Sequence, residues 1–316
     1  MPTAALAAAA LSLRCPNCGA LLAPAEQALS CANGHSFDVA RQGYVALPAP
    51  GRRTAAGDSA GMVAARETFL GAGHYAPITA AVSAAARAVM GRATGSGRCV
   101  VDLGAGTGHN LAALLEELPG RLGIALDASR AALRRAARAH PRIAAVACDV
   151  WVELPLQDAT ADLVVDVFAP RNGPEIARVL APGGALIVVT PTERHLHQLV
   201  ASLGMLGVQA DKQARLHSDL SPHLEAANRH ECRLDTPMRD RDDTRGEHPG
   251  RGEVDFDMTL GHADVQALVA MGPSAHHLDV EEVRRRVALL PPEIAVTGSV
   301  IVETFTRHPE PRLASR

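Results

Sequence analysis

Four side chains near the start of the sequence have the types and spacing of a metal site. Cys15, Cys18, Cys31 and His35 read C-x2-C-x12-C-x3-H. Zinc takes thiolate and imidazole ligands tetrahedrally, and two cysteines separated by two residues reach one ion from a tight knuckle. Gly19 follows the second thiol and lets the chain turn there with positive φ. Asn33-Gly34, inside the second pair, is a strong turn signal. Two turn-borne pairs joined by a short linker make a zinc ribbon or knuckle. Four protein ligands leave no open position, so the ion is structural and the module serves recognition rather than catalysis. The competing reading is a disulfide; the histidine and both turns favour metal, and such thiols suit a reducing cytoplasm. Cys99 and Cys148 fall in expected strands and read as small buried apolar residues.

A second constellation lies in "RCVVDLGAGTGHN". A β-branched run ends in Asp102, a loop carries Gly104, Gly106, Thr107 and Gly108, and the helix "NLAALLEEL" follows. Such glycines let backbone approach a ligand, and the helix N-terminus offers free N–H groups. Dinucleotide binders use a related loop, so the loop alone is weak. The next strand, "GIALDAS", ends in Asp127, placed for a ribose diol or for capping the helix behind it. "IAAVACDV" ends in Asp149, facing an adenine edge. "ADLVVDVFAP" ends at Phe168-Ala169-Pro170, and "GALIVVTP" follows "VLAPGG". Strand–helix alternation of this kind predicts an α/β fold whose strand ends share one edge of a parallel sheet, where ligands bind.

The elements around these sites must fit in 316 residues, enough for one large domain with a small satellite. Apolar residues make up 47% and charged residues 21%, which supports a substantial core. The net charge is −3, so a polyanion surface has to be a local patch. Arg41, Arg52 and Arg53, beside the zinc module, are candidates for phosphate contacts. Lys212 is the only lysine, a mark of coding bias. No apolar run has the length of a transmembrane helix. Residues 3–13 imitate the apolar part of a signal peptide without a basic residue ahead of it, and read as a frayed helical or disordered extension. Residues 62–70 predict an amphipathic helix closed by "GAGHY", and an alanine-rich helix then leads into the sheet.

"FDVARQGYV", "DSAGMVAARETFLGAGHY", "VVDLGAGTG", "VFAPRNGPEIARVLAPGG", "VVTPTERHL" and "VAMGPSAHH", in that order after the cysteine–histidine cluster, resemble the 23S ribosomal RNA (guanine-N1)-methyltransferases. The likeness is greatest to their macrolide-resistance branch, from tylosin and mycinamicin producers. It implies a Rossmann-like class I methyltransferase sheet with an N-terminal zinc ribbon, S-adenosylmethionine as cofactor and structural Zn²⁺. Carried over, the zinc ligands fall on Cys15, Cys18, Cys31 and His35, and cofactor contacts on Tyr75, Gly106, Thr107 and His195. The expected organisation is an extension (1–13), a zinc module for RNA recognition (14–50), a helical linker contributing to the cofactor site (51–97) and the methyltransferase domain (98–316). Residues 234–257, charged and nearly free of apolar side chains, read as a flexible loop longer than the family's usual turn.

The implied reaction is methylation of guanosine N1 in a hairpin loop of domain II of 23S RNA, conferring macrolide resistance. The implied partner is 23S rRNA, with no membrane, in the cytoplasm, with the chain acting as a homodimer. The loop "FAPRN" is the expected substrate wall. Phe168 stacks on a flipped base or lies in the core, Arg171 meets O6 or a phosphate or pairs with a neighbouring acid, and Asn172 bonds a base edge. No side chain there is an evident proton acceptor, and no general base is named. Two other functions fit parts of the sequence: a small-molecule methyltransferase of a macrolide pathway, and a non-catalytic zinc RNA-binding protein.

Overall fold

The computed structural model describes residues 2–51, 57–90, 99–209, 211–227 and 251–307. The chain opens with α1 (Ala4–Ala9), then β1 (Leu22–Pro24), β2 (Ala28–Cys31), β3 (Ser36–Asp38) and β4 (Tyr44–Ala46). Two helices follow, α2 (Ala60–Gly71) and α3 (Ala76–Met90). The central alternation is β5 (Cys99–Leu103), α4 (His109–Glu117), β6 (Leu122–Asp127), α5 (Arg130–Ala139), β7 (Ile143–Ala147), β8 (Ala161–Val167), α6 (Gly173–Val179) and β9 (Leu180–Pro191). It ends with α7 (His197–Leu203), α8 (Lys212–Leu220), β10 (Leu224–Ala226), β11 (Arg251–Gly261), α9 (His262–Met271), α10 (Val280–Ala288) and β12 (Glu293–Arg307).

One sheet has the order β10-β12-β9-β8-β5-β6-β7-β4, with β11 also on β12. Strands β4 to β9 pair in parallel and β12 runs antiparallel to β9. The central strands are continuous apolar runs because both faces are covered. Val100, Ala125, Val165 and Ile187 join one core with α3, α4, α7 and α9. Their neighbours Val101, Ile124, Val164 and Leu186 join the other, with α1, α6 and α8. All parallel strands end at one edge, and the chemistry-bearing loops leave from there.

Residues 2–13 depart from the frayed extension expected of them. Alanine is the strongest helix former, and Thr3 caps α1 by accepting the Leu6 N–H at 3.2 Å. Leu6 and Leu13 are fully buried against the sheet. Leu6→Ala is therefore expected to cost about 2–5 kcal/mol, as a large-to-small change in a packed core, read as a lower denaturant midpoint.

Two other segments pair in ways their sequence does not announce. Strands β1, β2 and β3 form the ribbon's own antiparallel sheet, but β4, inside the expected zinc module, is the edge strand of the main sheet, with Tyr44 opposite Ala145. Residues 251–257 of the expected flexible loop are strand, paired with β12 from Arg251 to Gly261. Their side chains alternate: Glu253, Asp255 and Asp257 are exposed, while Val254 and Phe256 turn inward. Residues 234–250 of that loop, Cys232, Arg52 and Arg53 lie outside the described residues.

Candidate active site and metal centre

The metal centre is built from two backbone knuckles. Cys15 accepts the Gly19 N–H on its carbonyl at 2.8 Å, and Cys31 does the same for Gly34 at 3.0 Å. Gly19 and Gly34 have φ of 72° and 82°, as the turns required. The four ligand atoms of Cys15, Cys18, Cys31 and His35 lie within 4.8 Å of one another. Cys18 Sγ is 3.7 Å from Cys31 Sγ, and His35 Nδ1 is 3.6 and 3.4 Å from the sulfurs of Cys15 and Cys31. Tetrahedral zinc with ordinary bond lengths needs edges of about 3.8 Å between sulfurs and about 3.5 Å from sulfur to nitrogen. The donor set and its spacing fit zinc. The Ala20 N–H and the Asn33 amide, which donates to Cys18 Sγ at 3.3 Å, bring the Cys18 thiol down to about 6 and favour the thiolate a metal needs.

At the carboxyl edge of the sheet, the loop between β5 and α4 holds Gly104, Gly106 and Gly108 at positive φ. Thr107 is buried within it. Asp127, at the end of β6, accepts the Gly106 N–H on Oδ2 at 2.8 Å and the Ser129 N–H on Oδ1 at 2.7 Å. Ser129 itself caps α5. An ionised carboxylate has about four acceptor sites, so both oxygens retain capacity for hydroxyl donors. Burial raises the Asp127 carboxyl, and the two N–H groups pull against it. Asp102, one strand away, is 3% exposed and takes no hydrogen bond among the described residues. Burial, then the charges of Asp127 and Asp166, hold its carboxyl well above the usual range. By strand alternation Asp102 shares the sheet face of Val100. Asp149, after β7, is half-buried and accepts the Trp151 N–H at 3.0 Å.

Tyr75 and His195 meet over this edge. The Tyr75 hydroxyl is 3.1 Å from His195 Nε2, and the Ser299 N–H donates to His195 Nδ1 at 3.1 Å. The second bond assigns the imidazole proton to Nε2, which then donates to the tyrosine oxygen and leaves the hydroxyl hydrogen free to donate elsewhere. The rings of Phe69, Phe168 and Phe256 surround Tyr75 at 5.1, 6.3 and 6.2 Å. Arg194 pairs with Glu253 and Asp255 and ties the His195 loop to β11. Burial, then the Lys212 charge, lowers His195 from 6.5 to about 4.

The unfolded chain therefore binds that proton more readily, and stability present above pH 6.5 is lost as pH falls towards 4. The full loss is about 3 kcal/mol. His195→Gln is expected to flatten this acid slope in melts taken from pH 7 to 4. Asp166 titrates with the opposite sign, since its raised value of about 6 adds stability as pH falls. It contributes equally to both proteins and cancels in their difference.

The loop after β8 is strained and locked. Phe168 has φ of 59°, costly for a bulky residue, and is 39% exposed. Asp166, fully buried, accepts the Ala169 N–H at 3.0 Å and pairs with Arg171 Nε at 2.9 Å. Of the two roles expected for Arg171, pairing with a neighbouring acid is the arrangement found. Asn172 caps α6 through Oδ1 and donates Nδ2 to the carbonyls of Trp151 and Val152. It is occupied with structure and does not project a free amide edge.

The structure thus gathers Tyr75, Asp102, the glycine loop, Asp127 and His195 at one edge, with Phe168 at the rim. Arg41, beyond the ribbon, is exposed. Cys99 and Cys148 are buried, as expected. Sequence reading missed Asp166, which orders the Phe168 loop, and Arg66, whose guanidinium pairs with Asp58 and lies over Gly106. It also set aside Lys212, which faces Asp166 and Arg171. Being the only lysine was the available signal.

Comparison with known proteins agrees with this geometry. Residues 13–53 match the RlmA N-terminal zinc ribbon, and residues 100–184 match a methyltransferase domain. A 23S rRNA (guanine(748)-N(1))-methyltransferase of Streptomyces fradiae is 47% identical, over 93% of this chain and 95% of its own length. A putative 23S rRNA (guanine-N(1)-)-methyltransferase of Micromonospora griseorubida is 48% identical, over 91% and 95%. One from Bacillus subtilis is 30% identical over 59% of this chain and 66% of its own. The enzyme whose sheet edge and zinc ribbon are described above belongs to the 23S rRNA (guanine-N1)-methyltransferase family.

Proposed function

We propose that the chain methylates N1 of a guanosine in a domain II hairpin loop of 23S rRNA, and that the methyl group confers macrolide resistance. The observation that carries the site is Asp102: a residue only 3% exposed, two positions before Gly104, that takes no hydrogen bond among the described residues and faces the charges of Asp127 and Asp166. A cationic ligand offsets that cost. S-adenosylmethionine carries both an ammonium and a sulfonium and supplies an activated methyl group. Asp102 suits the ammonium, Asp127 and Asp149 the ribose and adenine polar edges, and the Tyr75 hydroxyl an acceptor such as the carboxylate.

Phe168 stands at the pocket rim where an unstacked guanine enters, and its half-exposed ring suits stacking. Arg171 and Asn172 hold the loop that presents it, through Asp166 and through the carbonyls of Trp151 and Val152. The protein's main task is alignment of N1 with the methyl carbon, since displacement is in line. Arg41 and the zinc ribbon grip the surrounding RNA. The same reading makes the chain a cytoplasmic homodimer. No helix among the described residues is long and apolar enough to cross a membrane.

Mass mapping of 23S rRNA treated with enzyme and cofactor, against untreated RNA, tests this. One added methyl on a domain II loop guanine, blocking reverse transcription as an N1 mark does, is the expected result. Methylation of a macrolide and of no RNA would replace the proposal with the small-molecule reading.

A further inference from the structure

The chain has one tryptophan, and it stands in water. Trp151 is 63% exposed, whereas both tyrosines are buried. An indole is a large apolar surface that folding ordinarily covers. Among the exposed large apolar side chains of the described residues, Trp151 and Phe168 are the two aromatic ones.

The exposure is imposed by a fully tethered loop. The Trp151 N–H donates to Asp149 Oδ1 at 3.0 Å, and its carbonyl accepts the Asn172 amide at 3.1 Å. Leu154 N–H donates to Glu175 Oε2 at 2.7 Å. The same asparagine closes the Phe168 loop, so both exposed rings are anchored to one turn. At its other end the Trp151 loop is fixed to the root of the ribbon. Glu153 pairs with Arg14, the Arg14 N–H donates to the Pro155 carbonyl at 3.1 Å, and Leu13 bridges to Leu156. The indole therefore lies on a rigid connection between the metal module and the pocket rim.

The nearby charges favour a base over a phosphate. Glu153 and Asp158 are exposed acids, and Arg14 and Arg178 are committed to them. Among the described residues, neither of these two guanidiniums is left to neutralise an RNA backbone, while an aromatic face accepts any base.

We propose that Trp151 is a stacking platform for an unpaired RNA base flanking the target guanosine, on the path from the zinc ribbon to the pocket. This rests on the RNA-methylation reading above. Phe168 then holds the flipped guanine, and Trp151 holds the strand beside it.

The single tryptophan makes the test direct. Zinc-loaded full-length enzyme is titrated with a transcript of the domain II hairpin, following tryptophan emission, and separately with S-adenosylhomocysteine. RNA should quench the emission at the concentrations at which a mobility shift shows binding, and the cofactor product alone should not. Trp151→Ala should weaken RNA binding about ten- to a hundredfold with cofactor affinity intact, and Trp151→Phe should restore most of it. Unquenched emission in an enzyme that binds and methylates the RNA overturns this inference alone. So does quenching by S-adenosylhomocysteine alone, which would place the indole on the cofactor, or wild-type RNA affinity in Trp151→Ala. An enzyme that neither binds nor methylates the hairpin removes the inference and the proposed function together.

Discussion

A chain carrying Gly106→Val is expected to fold and hold its zinc while its affinity for S-adenosylmethionine falls by about a hundredfold or more. Gly106 has φ of 54°, a conformation in which a β-branched residue is an outlier. A Cβ placed there meets Arg66 Nη1 at 3.3 Å and Cδ at 3.5 Å. Arg66 has little freedom to retreat, because it pairs with Asp58 and donates to the Met271 carbonyl at 2.8 Å. The loop is equally constrained from below by the Gly106–Asp127 hydrogen bond. Either the cradle shifts and releases Asp127, or valine methyls fill the space the cofactor needs. Calorimetric titration with S-adenosylhomocysteine measures the loss, and unchanged affinity would detach this loop from cofactor binding. Gly106→Ala, lacking the branch, is expected to lose less.

The same residues show why parts of the molecule were legible in the sequence. The zinc ligands and the glycine loop are written in local spacing, because each is a turn a few residues long. The α/β alternation followed from apolar runs that need cover on both faces. Other features depend on partners distant in sequence. Residues 4–9 are nearly pure alanine, so helix propensity was readable but no polar face showed which side would be buried. Leu6 is buried only because the sheet lies beneath it. In residues 251–257 the acids at every second position are the exposed face of a strand, a period-two pattern hidden by averaging charge over a longer window. That β4, inside the expected zinc module, joins the main sheet was not legible, because its three residues carry no signal of pairing with β7. The Arg171 pairing with Asp166 was half legible, since the acid lies only five positions earlier. Seeing that it turns back beneath the loop required knowing where β8 ends.

Cys31→Ser is the substitution that should separate the two devices of this chain. Serine oxygen is a poor zinc ligand, and the three remaining donors do not close a tetrahedron. Metal-binding free energy is folding free energy in so small a module, about 10–16 kcal/mol in zinc-finger peptides, so losing the ion releases the ribbon. Strands β1 to β3 contribute few buried side chains of their own, chiefly Leu22 and Leu29. Those two leucines join the core on the α1 face of the main sheet, so some stability is lost with them, but α1 and β4, on either side of the ribbon, remain packed and paired and hold that face. Deleting residues 1–50 would remove those two elements as well and expose core surface, so a point substitution is the cleaner probe. Elemental analysis should show zinc falling from one per chain to none. Affinity for S-adenosylhomocysteine should stay within about twofold, since Tyr75, Asp102, Asp127 and His195 lie outside the module, while hairpin binding should fall at least about tenfold. A variant that keeps its zinc would disprove the ligand assignment. One that loses the metal yet methylates rRNA normally would show that the sheet domain alone finds its target, leaving the ribbon without a role in recognition.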